Sequence, residues 1–271
     1  MAEIVRIPDL VGWDLGEQSC QYFEHDVILY ALAVGATATE LDLVYETRLR
    51  VLPTFPLTLG LWAVRAAGAL GAYDPAATLH VGQTLTVLAP LPREGALNMR
   101  AAVSNVWDKG RAALVEVSVA CEYFEAVYTI FIPGGGGFGG ERGGSSAIPS
   151  PENLANITTT VTTSEHQAAL YRLTGDLHPV HIDPAAAQAV GFDRPILHGL
   201  CTLGGVALAV SRAVDRDPAT LTALDARFMA PVFPGSTLDV EVWTHGSGFS
   251  YRASVAWTGP VVYGTGAFLD Q

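Results

Sequence analysis

The chain has 271 residues, of which 49% are hydrophobic and only 15% charged, and its formal net charge is −12. This composition predicts a sizeable core and excludes wholesale disorder. The negative charge disfavours nucleic acid and anionic membrane surfaces as partners, because both would repel it. No signal-like or membrane-length apolar run is present, so we expect a cytoplasmic protein. Three cysteines without metal-ligand spacing are predicted to be free thiols: Cys20, Cys121 and Cys201.

A glycine-rich segment, residues 133–150, divides the chain and predicts a flexible linker between two halves, 1–132 and 151–271. The halves share three short matches in the same order, which indicate an internal duplication. The matches are Leu29-Tyr30-Ala31-Leu32 with Leu170-Tyr171-Arg172-Leu173, Leu57-Thr58-Leu59-Gly60 with Cys201-Thr202-Leu203-Gly204, and Gly82-Gln83-Thr84-Leu85 with Gly235-Ser236-Thr237-Leu238.

The predicted elements follow one pattern twice. In the first half, residues 57–70 form an apolar helix, and strands follow as far as Ile132. In the second half a β-branched strand at 157–163 precedes a helix that starts with a Ser164–Gln167 capping box. The remaining predictions are a short helix from Asp183-Pro184 to Gly191, a buried helix at 198–214, and strands at 221–230, 237–245, 249–257 and 261–269.

A buried helix followed by an antiparallel sheet wide enough to wrap it is the hot-dog architecture. Each apolar helix needs a sheet to cover it, and each sheet needs its inner face covered. Two copies therefore predict an α+β double hot dog, with two antiparallel sheets that each wrap a buried helix. A generic pair of α+β units is the alternative.

Polar side chains crowd into one otherwise apolar stretch, residues 171–204. Gly175 and Pro179 predict a fixed, non-helical loop there. A rigid loop that presents a carboxylate and an imidazole suits general acid–base catalysis. The polar residues are Asp176, His178, His181, Asp183 and His198.

Other interpretations of these side chains stay open. Asp183 is predicted to cap the helix that follows it, and a helix cap is also the alternative for Asp176. His178, His181 and Asp183 are possible metal ligands, although their spacing matches no structural zinc pattern and no cysteine joins them. We therefore expect no metal and no cofactor.

Residues 171–183 and 195–200 resemble the signature of the (R)-specific enoyl-CoA hydratases in the MaoC-like hydratase/dehydratase family. One departure is His178, where the family usually has asparagine. The resemblance covers nearly the whole chain, through residues 26–30, 51–55, 79–80, 108–110 and 226–235. It implies a double hot dog in which only one half keeps a catalytic loop, and a lyase of lipid metabolism that hydrates trans-2-enoyl-CoA reversibly to (3R)-hydroxyacyl-CoA.

The resemblance also implies roles for individual residues. Asp176 and His181 would form a dyad that activates one water, and His178 would help to orient it. The N–H of Gly199, at the start of the buried helix, is the expected oxyanion donor, unless Gly199 serves packing alone. Contacts with CoA and substrate are implied for His80, Val81, Lys109, Leu177, Pro179, Val180, His198, Arg227 and Phe228.

For three of these residues, a purely structural role is an alternative to contact with CoA or substrate. Lys109, the sole lysine in the chain, lies on a predicted hairpin turn, where a lysine is usually just solvated. Phe228 is equally well explained as a core residue, and His198 as a helix cap or polar wall. Arg227 is expected to point away from Phe228, because neighbouring side chains alternate along a strand.

The halves differ where the chemistry is expected. When they are registered on Tyr30 and Tyr171, Gly35 falls opposite Asp176, and Glu40 falls opposite His181. The first half therefore has no acid–imidazole pair and is expected to shape a pocket for the acyl tail.

Three other functions are also compatible with the sequence: an acyl-CoA thioesterase, a non-catalytic acyl-thioester-binding protein, and a dehydratase for acyl chains bound to a carrier protein. The intact loop disfavours the first, while His178 in place of asparagine raises the second. The acidic composition disfavours the third, which would need a basic docking patch. Family habit and the sheet edges of a hot dog suggest a homodimer.

Overall fold

The computed structural model describes residues 5–144 and 154–270, and its strands form one ten-stranded antiparallel sheet. The order across it is β1-β3-β4-β5-β2-β7-β10-β9-β8-β6, so each half repeats the same internal order. The strands are β1 (Asp14–Tyr22), β2 (Leu79–Val87), β3 (Gly95–Asp108), β4 (Ala112–Ala120), β5 (Phe124–Pro133), β6 (Ile157–Thr162), β7 (Leu221–Phe228), β8 (Thr237–His245), β9 (Gly248–Val255) and β10 (Gly259–Phe268).

Seven α-helices lie within the described residues, and each half-sheet covers a buried helical segment: Pro56–Leu59 with Leu61–Ala69 in the first half and Gly199–Ala213 in the second. The buried helix predicted at 198–214 runs from Gly199 to Ala213. This arrangement confirms the α+β double hot dog, although the two predicted sheets are one continuous sheet because the edge strands of the halves pair with each other. The helices are α1 (Glu24–Ala33), α2 (Leu41–Val44), α3 (Pro56–Leu59), α4 (Leu61–Ala69), α5 (Gln167–Tyr171), α6 (Pro184–Ala189) and α7 (Gly199–Ala213).

Helix α7 is the central element of the second half. Every residue from Leu200 to Ser211 is buried, because the helix packs on β6 and β8 and also meets the first half. A Cβ on Gly204 would lie 2.7 Å from Cγ1 of Val34 and 2.8 Å from the hydroxyl of Tyr30. The absence of a side chain at Gly204 therefore lets α1 and the residue that follows it pack directly on α7.

The helix predicted at 57–70 is broken in two at Gly60. The hydroxyl of Tyr128, on β5, donates a 2.8 Å hydrogen bond to the carbonyl of Leu57, which occupies an acceptor that a continuous helix would use. A Cβ at Gly60 would overlap that hydroxyl. The prediction of a single helix was therefore wrong. The residue that interrupts the helix lies on a strand about 70 residues away in sequence, where helical periodicity does not register it.

The two halves join through β2 and β7, which pair antiparallel from Gly82↔Arg227 to Thr86↔Ala223. These strands are therefore equivalent, and the third sequence match is wrong: it aligns β2 with residues at the start of β8, which corresponds to β3. The equivalent segments are residues 88–92 and 229–233, which follow β2 and β7 and each contain Ala-Pro. The offset between these two segments equals the offset between Tyr30 and Tyr171. The correct third match could therefore have been found from the sequence.

The first part of the predicted flexible linker is bonded to the first half. The carboxylate of Asp108 accepts hydrogen bonds from the N–H groups of Gly110, Gly137 and Gly139 at 2.7–2.9 Å. Hydrogen bonds from these N–H groups, that of Gly137 first, lower the pKa of Asp108 to about 2. Residues 134–144 therefore form an arm attached to the β3–β4 turn, and residues 145–153 lie outside the described residues.

Two further predictions concern the whole chain. All three cysteines are free thiols, as predicted, with Cys201 buried and the other two half-buried. None of the helices in the described part of the chain is long and apolar enough to cross a membrane.

Truncating the core of α7 is expected to destabilise the fold strongly. Leu203 is fully buried, so Leu203→Ala removes buried methyl groups and leaves a cavity; we expect a loss of about 3 kcal/mol of unfolding free energy. Urea denaturation measures it. The matched control is Leu154→Ala, since Leu154 is 94% exposed and should leave the midpoint unchanged. Equal midpoints for the two variants would contradict the buried position of α7.

Candidate active site

The catalytic loop predicted from sequence lies between α5 and α6. Gly175 adopts φ 126°, a conformation that favours glycine, and turns the chain after a short 3-10 segment, Arg172–Thr174. A second 3-10 turn, Pro179–His181, begins with proline, whose missing N–H is not needed there. Asp183 caps α6 by accepting a 2.8 Å hydrogen bond from the N–H of Ala185, which confirms its predicted structural role.

The loop brings Asp176 and His181 together, with His198 beside them. One side-chain atom from each of the three lies within 4.8 Å of the others. The Nδ1 of His181 is 2.9 Å from the carbonyl oxygen of Ile196. Because a carbonyl only accepts, we assign the proton to Nδ1, which leaves the lone pair of Nε2 free. The site thus presents a carboxylate and an unprotonated imidazole nitrogen.

His181 is set up as a neutral base. Burial lowers the pKa of His181, and the charge of Asp176 opposes that shift without cancelling it. The imidazole is therefore neutral near pH 7, and its free nitrogen can accept a proton.

His178 takes over a structural task that an asparagine can perform. Its Nδ1 accepts a hydrogen bond of 3.3 Å from the N–H of Val180, two residues on, and so caps the turn Pro179–His181. The Oδ1 of asparagine is the same number of bonds from the backbone and makes the same kind of turn. The N–H of His178 also donates to Oδ1 of Asp176 at 3.2 Å. His178 therefore supplies the capping acceptor of this turn despite the departure from the family signature.

Gly199 is the first residue of α7, where N–H groups have no acceptor within the helix. The helix dipole favours negative charge at this end. A Cβ at Gly199 would lie 3.3–3.5 Å from the ring of Phe228, so the ring closely covers this backbone position. Phe228 is half-buried and touches the start of α7, so the two predicted residues are neighbours.

Residues from both halves meet at the seam beside Phe228. His80, on β2, lies with its ring 5.3 Å from that of Phe228 and 5.8 Å from that of Tyr128. A register shift between His80 and Gly82 leaves Val81 as an extra residue in the strand, and such bulges redirect side chains. Burial lowers the pKa of His80 to about 4, and its Nε2 lies 2.8 Å from the carbonyl oxygen of Gly82. His80 is thus a neutral polar group beside the site.

The other predicted binding residues lie in different surroundings. Leu177 and Pro179 are exposed on the catalytic loop, while Val180 is buried beneath it. Burial raises the pKa of Asp225, and the charge of Arg227, two residues further along the same strand face, partly opposes that shift. Arg227 therefore points away from Phe228, as strand alternation predicts. The ammonium of Lys109 donates to the carbonyls of Arg142 and Gly144 on the glycine-rich arm. These bonds bind Lys109 to its own chain, and its contact with CoA stays a prediction.

The geometry argues against a metal ion at these residues. Among the described side chains, Asp176, His181 and His198 form a cluster close enough to hold a cation. However, the two imidazole rings are stacked, 3.7 Å apart and 26° from parallel, so their in-plane lone pairs do not converge on one point. The other candidate set is broken up as well, because Asp183 caps α6 and Nδ1 of His178 accepts from Val180.

Several contributors were missed by sequence reasoning. The carbonyl of Ile196 orients His181, and the fully buried Tyr171 packs its ring 4.8 Å from that of His198. Tyr171 opens the signature string, which was the available signal. Glu40, opposite His181 in register, instead accepts hydrogen bonds from Arg212 at 2.6 and 2.8 Å. The first half's counterpart of the loop is therefore tied to the end of α7.

Buried neutral histidines should make the fold sensitive to mild acid. Between pH of about 6.5 and about 4, the unfolded chain protonates His80 while the folded chain does not, so stability falls as pH falls. His181 and His198, whose pKa values burial also lowers, act in the same direction. We expect a lower Tm at about pH 5 than at about pH 7.5. His80→Gln should reduce that difference, and a Tm that does not change over this window would refute the assignment.

The sheet, the two buried helices and the acid–imidazole loop define a double hot-dog protein with its candidate site in the second half. Residues 20–132 match the MFE-2 hydratase 2 N-terminal domain, and residues 149–262 match the MaoC like domain. The chain belongs to the MaoC-like hydratase/dehydratase family.

Relatives of known name share about a third of their residues with this chain. The 3-hydroxyacyl-thioester dehydratase Y of Mycobacterium tuberculosis is 36% identical, with 92% of this chain and 91% of that one covered. The peroxisomal enoyl-CoA hydratase 2 of Arabidopsis thaliana is 34% identical, covering 91% and 89%. The peroxisomal multifunctional enzyme type 2 of Mus musculus is 36% identical over 96% of this chain, which spans only 38% of that protein's length.

Solved structures agree with the fold. A MaoC-like dehydratase from Phytophthora capsici superposes with a TM-score of 0.86 at 27% identity, covering 98% of this chain and all of that one. A Mycobacterium tuberculosis protein described as a double hotdog fold superposes with a TM-score of 0.63 at 14% identity, covering 98% of both chains. The second likeness concerns the fold alone.

Proposed function

We propose that this chain is a hydro-lyase that interconverts trans-2-enoyl-CoA and (3R)-hydroxyacyl-CoA. The observation that carries the proposal is the pairing of the Asp176 carboxylate with the neutral His181 imidazole on one loop, beside the open N-terminus of α7. The names of the relatives support the substrate class. No cofactor takes part in the proposed reaction.

In the proposed mechanism, one water lies between the carboxylate of Asp176 and Nε2 of His181. The pair removes a proton from the water as its oxygen adds to C3 of the enoyl thioester, and it returns a proton to C2 on the same face. Negative charge develops on the thioester oxygen between these events. The N–H of Gly199 stabilises it, since a free donor at a helix N-terminus opposes that charge.

An absorbance assay at about 260–280 nm, where the conjugated enoyl thioester absorbs, tests this function together with a thiol reagent. We expect loss of the enoyl signal, a (3R)-hydroxyacyl product and no free thiol. Release of free CoA without hydration would establish a thioesterase instead. Tight binding without any reaction would establish the non-catalytic binding protein.

Replacing His178 by the family's asparagine is expected to leave hydration nearly intact. Both side chains place an acceptor where the N–H of Val180 donates, so kcat should stay within about threefold of wild type. His178→Leu, which lacks that acceptor, should lower kcat by more. If His178→Asn instead creates activity in an inactive wild type, the binding-protein function is the correct one.

We also propose that the first half receives the acyl tail. Residues 52–54 face α7 across a void of about 10 Å³, and the helix residues that line it include Gly204, Ala207 and Leu208. This volume is close to the limit for one water, so a tail enters only when residues 52–54 move aside. The preferred chain length then reflects how far that segment opens.

The remaining parts of the proposal concern partners and location. We infer that the acyl chain is carried by CoA and not by a carrier protein, because the net charge of −12 disfavours an acidic macromolecular partner. A homodimer and a cytoplasmic location are proposed from the sequence. Two of the relatives described above are named as peroxisomal. Cell fractionation should therefore compare the amount of this protein in the cytosol with the amount in a peroxisomal fraction.

A further inference from the structure

A single buried side chain touches both members of the acid–imidazole pair. His198 is the N-cap residue of α7 and is only 1% exposed. Its ring stacks on that of His181, with centroids 3.7 Å apart. Its Nε2 lies 3.1 Å from the backbone oxygen of Asp176 and therefore carries the proton that it donates.

We propose that His198 is a positioning residue for the hydration reaction: it fixes the backbone of Asp176 and the ring of His181 relative to each other. This role rests on the proposed function, and the contact of His198 with CoA expected from sequence stays a prediction. Because His198 also immediately precedes Gly199, it ties the acid–imidazole pair to the N–H that faces the thioester oxygen.

The loop needs such a tether. Asp176 follows Gly175, whose left-handed conformation comes at the end of a short 3-10 turn, and the carboxylate is only half-buried. The hydrogen bond from His198 holds the Asp176 carbonyl from 22 residues away. The ring of His181 is held by the same segment, through Nδ1 to Ile196 on one edge and through His198 on one face.

His198 is itself held firmly enough to act as a reference point. Its carbonyl accepts hydrogen bonds from the N–H and the hydroxyl of Thr202 at 3.0 and 3.2 Å. On another side, the ring of Tyr171 packs 4.8 Å away. Its Nδ1 is buried and has no hydrogen-bond partner among the described residues. Burying a polar atom without a partner costs free energy, which an apolar ring of the same size would avoid. The polar atoms of His198 therefore indicate a role beyond packing.

His198 also influences the charge state of His181 indirectly, because it holds the backbone of Asp176. The titratable groups around the stacked pair are Asp176 and His178 on the loop and Arg172 before it. Burial and the charge of His181 lower the pKa of His198, so His198 is the neutral partner of the stack when His181 takes up a proton. The charge of Asp176 raises the pKa of His181, so the position of Asp176 influences the protonation of His181.

Two variants separate the two contacts. His198→Gln keeps an N–H donor within reach of the Asp176 carbonyl but removes the ring, whereas His198→Phe keeps a ring on His181 and removes the donor. We expect each to lower kcat by about 10- to 100-fold with KM changed by less than about threefold, because the groups are displaced without loss of binding. Each should also shift the acid limb of the kcat profile, because the distance between Asp176 and His181 changes.

Histidine proton NMR gives a second readout that does not depend on turnover. The titration midpoint of His181, assigned with His181→Gln, should shift in both variants, while the Tm shows that each variant is folded. A Tm decrease with unchanged kcat and unchanged His181 titration in the folded variants would overturn the positioning role. If wild type does not hydrate enoyl-CoA, the proposed function fails, and the His181 titration alone still decides the role of His198.

Discussion

Replacing Asp176 with asparagine, or His181 with glutamine, is expected to lower kcat for enoyl-CoA hydration by about 10³-fold. Each change keeps the shape of the side chain but removes a group that accepts or returns the proton. The KM should change little, since neither variant alters the contacts of the CoA moiety. The double variant should be little worse than either single one, because the two residues act on the same water.

The matched control for this pair is Asp183→Ser on the same loop. Serine can still cap α6, so the loop should remain folded while one carboxylate is lost. We expect near-normal kcat in this control. A similar loss of kcat in Asp183→Ser and Asp176→Asn would show that the loop responds to lost charge in general, and it would contradict the assigned pair.

Replacing Gly199 with proline is expected to lower kcat by about 10²-fold by removing one backbone N–H. Proline is tolerated at the first position of a helix, where its ring fits and no N–H is required. His198 already has φ −58° and ψ 136°, the extended conformation that proline imposes on the residue before it. The change therefore removes the proposed oxyanion donor and leaves α7 intact.

Gly199→Ala controls for the added bulk. Its Cβ would lie 3.3 Å from the ring of Phe228, which must yield by a few tenths of an ångström, but the N–H is retained. Most of the wild-type kcat should remain, and circular dichroism should show equal helix content in both variants. Equal losses of kcat in Gly199→Pro and Gly199→Ala would mean that bulk is responsible, and that Gly199 serves packing alone.

The sequence by itself was sufficient wherever the cause was local. The capping of α6 by Asp183 and the bounds of α7 depend on residues a few positions apart, and both were predicted. Asp176 and His181 were also predicted to lie together, because they are five positions apart on one loop that Gly175 and Pro179 shape, and the structure brings them close. The repeated pattern of a buried helix and strands was enough to predict the double hot dog.

Tertiary structure decided whatever depends on residues far apart in sequence. The break at Gly60 requires the hydroxyl of Tyr128 from β5, and the fixed arm after β5 requires the carboxylate of Asp108. The role of His198 emerges only when α7 is placed against the loop, which brings its ring onto His181. Periodicity and spacing describe neighbours along the chain, whereas these contacts depend on how the sheet and its helices pack in three dimensions.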